Sequence, residues 1–239
     1  TYCGMMGWAA SVLPFMEQQA IYEQVNFNRR AYAYGVGNKY NPHTGGTYRQ
    51  ASAEECGDEA NKEVADKCPS TLKCPSAPHN EPVSGSQKDY SVNGGGDYPA
   101  RPDGTAYFTK QMAVFYRNSF LGIGSLTDGT THTFLAVEQT ASTLPNYNPN
   151  YASDTANPFL FVNHADQGYV TFADGTANAV SRPFPPNHLG YHHPNRTARG
   201  FHTGGLQGGM GDGSVQFVSD TVSTAVWQAT FTRASAGME

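Results

Sequence analysis

The chain has 239 residues, room for one large β-rich domain or two small ones. Charged residues make up only 15% of it, against roughly 25% in ordinary soluble domains, and Gly, Pro, Asn, Thr, Ser and Tyr fill the gap. The formal net charge is −5 with no basic stripe, which argues against nucleic-acid binding, and no stretch approaches the ~18 apolar residues of a membrane span.

The first predicted element is a helix with Pro14 in its opening turn and Glu17 near the positive end of its dipole. Leu13, Met16, Ala20, Ile21 and Val25 form an apolar stripe at helical spacing, and Asn26 to Asn28 end it. Residues 29–50 hold Tyr32, Tyr34, Tyr40 and Tyr48 without helical period, as an ordered loop or short hairpin. A Ser-x-x-Glu box at Ser52 and Glu55 predicts a helical turn within 52–66.

From Leu72 onward the composition turns to short strands: Asp89–Val92, Ala106–Thr109, Met112–Tyr116, His132–Val137, Phe159–Val162, Tyr169–Phe172, Ala177–Val180 and Ser214–Ser219. Asp-Gly followed by Thr or Ser recurs at Asp103, Asp128, Asp174 and Asp212, which is hairpin-turn chemistry. Asp174-Gly175 and Asp212-Gly213 are predicted hairpin turns, with Phe172, Val215 and Phe217 on the buried face. Residues 181–213, dense in Pro, Gly, His and Asn, read as a long ordered surface excursion. A last helix is predicted with Ser223 as N-cap and Val226, Trp227 and Phe231 facing inward. The fold expected is α+β and β-dominated: an antiparallel hairpin meander on an N-terminal helix, with long ordered loops, as a single domain over 1–239.

Four cysteines, Cys3, Cys56, Cys68 and Cys74, lack the spacing of zinc knuckles or redox motifs. Three disulfide pairings are open. Cys56–Cys68 would close a local loop and leave Cys3–Cys74 to tie the chain start to its middle, in an oxidising compartment; four buried thiols are the alternative. His188, His192, His193 and His202 are candidate zinc ligands, set against plain loop histidines because prolines and glycines surround them. Asp212 and the other Asp-Gly turns are weak candidates for a structural calcium.

No nucleophile elbow, phosphate loop or metalloprotease helix occurs. Glu17 and Glu138 are the carboxylates that a glycosidase reading would need, and structural roles are preferred for both: a helix start for Glu17, and hydrogen bonds to a neighbouring loop for Glu138. The many aromatic rings and amides leave room for a glycan- or surface-binding module.

Five segments in order resemble a family of pilin-like surface proteins of the planctomycete type, known as a domain of unknown function. They are Leu13-Pro-Phe-Met-Glu-Gln-Gln-Ala-Ile-Tyr22, Leu72-Lys-Cys-Pro-Ser-Ala-Pro78, Asp89-Tyr-Ser-Val-Asn-Gly-Gly95, the stretch Leu126-Thr-Asp-Gly-Thr130 through Glu138, and Phe201-His-Thr-Gly-Gly205 through Phe217. Ala77 and His132 depart from the family's usual acidic residue and Asn. The resemblance implies a prepilin-type leader and an apolar anchoring helix ahead of Thr1, export to the cell surface, and a structural role as a type IV pilus subunit or type II secretion pseudopilin. Self-association would be its main partnership, with membrane contact only through that missing helix. A chain opening at Thr1 then reads as a processed product.

Overall fold

The computed structural model describes residues 6–34, 55–56, 58–77, 87–93, 114–115, 120–139, 159–160, 171–172, 182–183, 186–187 and 198–234. Contacts group the chain into two compact units, one from Thr1–Tyr90 and Thr140–Asp166, the other from Ser91–Gln139 and Gln167–Glu239. None of the described helices is long and apolar enough to cross a membrane.

In the first unit the helical segment begins earlier than the sequence suggests and is broken. Helix α1 (Trp8–Val12) runs into a 3₁₀ turn, Leu13–Met16, and α2 (Gln19–Tyr22) follows. Pro14 has no N–H to continue an α-helical ladder. Glu17 closes the turn in the left-handed region at φ 58°, and its N–H returns to the Leu13 carbonyl. Glu17 is therefore a C-cap and not a first-turn acid, and it resets the phase of the apolar stripe. Leu13 and Val25 are buried, Met16 and Ile21 half-buried, and Ala20 exposed.

The turn after Val25 is anchored by a fully buried amide. Asn61 Oδ1 accepts from Asn26 N at 2.8 Å, and Asn61 Nδ2 donates to the Asn26 and Arg30 carbonyls at 3.1 and 2.8 Å. Strand β1 (Ala33–Tyr34) pairs with β2 (Glu55–Cys56), antiparallel, so Glu55 belongs to a strand and not to a capping box. The helical stretch begins instead at a 3₁₀ turn, Glu59–Asn61, leading into α3 (Lys62–Ala65). Its cap is Asp58, whose carboxylate accepts from Ala60 N at 3.0 Å. The core gathers Ala9, Ala10, Leu13, Val64 and Leu72 around Phe159 and Leu160, which arrive from the second chain segment of this unit. The predicted strand at Phe159 is a bend at its two described residues, with the Leu160 carbonyl accepting from Gly7 N at 2.8 Å.

The second unit contains a four-stranded sheet in the order β3 (Tyr90–Val92), β4 (Phe134–Glu138), β7 (Gly205–Met210) and β8 (Val215–Ser219). A two-stranded antiparallel pair joins β5 (Thr171–Phe172) to β6 (Arg182–Pro183). The α+β, β-rich expectation holds at this level. Strands β6 and β7, however, lie inside the stretch read as a surface excursion. Glycine density misleads there, because Gly208 is a packing residue: a Cβ at that position would collide with the Phe134 ring. Strand β4 carries an irregularity between Phe134 and Ala136 against β7, which puts Phe134 and Val137, three residues apart, in one core.

Helix α4 (Thr224–Ala229) closes that core. Ser223 caps it as expected, with Trp227 N on the Ser223 carbonyl at 2.9 Å and Val226 N on Ser223 Oγ at 3.3 Å. Trp227 and Phe231, one turn apart, pack edge-on with ring centroids 4.7 Å apart, and both rings meet Phe134. Val226 is 55% exposed, since it sits about 100° round the helix from Trp227.

The β7–β8 hairpin turns at Asp212-Gly213 as predicted. The loop has three residues: Gly213 N donates to the Met210 carbonyl at 3.0 Å, Met210 N to the Ser214 carbonyl at 2.8 Å, and only Gly213 has positive φ. Val215 and Phe217 are not buried. They are 69% and 50% exposed, because β8 is the last described strand of the sheet and its core-facing position is Val218. Phe172 lies in β5, and nothing of its side chain is described. The turns at Asp103 and Asp174 and the strands 106–109 and 177–180 lie outside the described residues, and so do Tyr40 and Tyr48.

Candidate functional site

A buried polar cluster in the second unit centres on Glu138, at the end of β4. Val137 points into the core, so its neighbour Glu138 points to the opposite face of the strand. It is nonetheless only 1% exposed. Both carboxylate oxygens are engaged. Oε1 lies 2.8 Å from His202 Nε2, and Oε2 accepts from Gln207 N at 2.7 Å. The His202 side chain keeps 29% of its surface exposed. The chain passes so close to the carboxylate that a Cβ on Gly200 would collide with Glu138 Oε2.

Two further groups hold the segment that carries His202, the Arg199 backbone and the Asn187 amide. Arg199 N donates to the Glu138 carbonyl at 2.7 Å in a parallel bridge between Gln139 and Arg199. The Arg199 side chain is buried, which pushes its guanidinium down to about 10, still a cation at neutral pH. Asn187, left-handed at φ 58°, accepts from Gly200 N at 2.8 Å and donates to the Gly205 carbonyl at 3.1 Å and to Asp220 Oδ1 at 2.7 Å. One amide thus ties together the start of β7, the strand-like segment at 198–200 and the turn after β8.

The other motif residues are also committed to internal bonds. Asn93 Nδ2 donates to the Phe134 and Phe231 carbonyls at 2.8 and 3.2 Å, joining β4 to the chain after α4. Asp128 Oδ2 accepts from Thr232 Oγ1 at 2.9 Å. Asp212 Oδ1 accepts from Ser214 Oγ at 2.7 Å and Ser214 N at 2.9 Å, and these bonds hold its carboxyl below the usual range.

Of the predicted metal set, His188, His192 and His193 lie outside the described residues. His202 is a partner of Glu138, and Asp212 sits at the other end of β7 from it. The structure does not bring His202 and Asp212 together. Among the described residues of this unit, Glu138 and His202 bring two donor groups together. Glu17 and Glu138 belong to different units. Sequence reasoning missed Asn187, Gly200 and Arg199. The one available signal was Pro185-Pro186-Asn187, a turn whose Asn tolerates the left-handed conformation.

The predicted disulfides need correction. Cys68 and Cys74 both carry thiols, so neither Cys56–Cys68 nor Cys3–Cys74 is formed. Cys74 is buried and its N–H donates to Asp89 Oδ2 at 2.8 Å. Burial pushes the Cys68 thiol up to about 12, and the ammonium groups of Lys73 and Lys88 offset only part of that, so Cys68 is a poor nucleophile.

A search of curated proteins and of solved structures finds no match. A family model described as a protein of unknown function, DUF1559, matches residues 2–224 and so includes Asn93, Asp128, Glu138, His202 and Asp212. Since that match spans nearly the whole chain, the protein belongs to the DUF1559 family.

Proposed function

We propose that this chain is the globular head of an exported, non-enzymatic surface protein of pilin or pseudopilin type, which works by self-association. One observation carries the reading: the polar residues of the motifs are consumed in holding the second unit together. Glu138, His202, Asn93 and Asp128 each bond to a neighbouring segment, and Asp212 bonds to Ser214 within its own turn. A catalytic carboxylate needs an oxygen available to substrate, whereas both oxygens of Glu138 are occupied in a buried site. The likeness of the five motif segments to planctomycete-type surface proteins supports export and display, and the low charge and abundant Tyr, Asn and Gly suit a displayed β-rich head.

The test is to find the protein in its native source. Immunogold electron microscopy should show label on surface polymers or layers, with N-terminal sequencing of the extracted protein. Label confined to the cell interior would overturn the reading.

A further inference from the structure

We draw no further inference here: the strongest candidate, the apolar pocket of the second unit where Phe120 and Ile123 stand exposed beside Val114, Leu126 and Leu135, carries nothing because nothing in the structure shows what covers it.

Discussion

Glu138 shows how a single buried residue can organise a unit. Its carboxylate is the shared acceptor for His202 and for the Gln207 amide. Glu138→Ala should lower stability by about 2–4 kcal/mol in chemical denaturation, since two donors lose a buried partner. Glu138→Gln should cost less, because one oxygen acceptor remains. Equal costs would show that the oxygen acceptor Gln retains contributes nothing. Cys68 makes a separate test. Its folded thiol titrates near 12, against 9.0 for an unperturbed one, so the folded state holds its proton where the unfolded state has lost it. Stability from this group is complete below about pH 9 and falls as pH rises from there toward 12. Denaturation midpoints across that window should show a decline that Cys68→Ala removes. Cys68 should also react with a thiol reagent at pH 8 only on unfolding.

At the scale of elements, the closing helix is carried by its aromatic side chains. Six residues are too few for a helix to persist alone in water, so α4 depends on the Trp227–Phe231–Phe134 contacts and the Ser223 cap. Trp227→Ala should cost about 3–5 kcal/mol by leaving a cavity against Phe134 and Phe231. Ser223→Ala should cost about 0.5–2 kcal/mol. Urea titrations of the two variants would check the order. A smaller loss from Trp227→Ala than from Ser223→Ala would mean that the cap, and not the packing, holds this helix.

For the whole molecule, the chain crosses between its two compact units more than once. The first unit closes only when Phe159 and Leu160 arrive from the second segment, and both are fully buried in its core. A fragment ending at Tyr90 should therefore be poorly ordered, with exposed apolar surface that binds a hydrophobic dye and poor amide dispersion in NMR. A well-dispersed, cooperatively melting fragment would show that this late segment is dispensable.

Local chemistry was legible before any coordinates. Ser223 as a cap, Asp212-Gly213 as a turn, strands near 90–92, 134–138 and 215–219, and inward-facing Trp227 and Phe231 all follow from short-range preferences, which act within a few residues. Glu138 bonding to a neighbouring loop was also anticipated, but its partners were not. His202 and Gln207 lie more than sixty residues away, and Asn187 gave little sign of linking Gly200, Gly205 and Asp220. Only tertiary structure decided such matters: that a glycine-dense stretch is strand β7, that Val215 and Phe217 face outward, and that Cys68 and Cys74 are thiols. In each case the outcome depends on which distant segment comes to lie alongside. A strand's periodicity tells which residues share a face, but not whether that face meets a core or water.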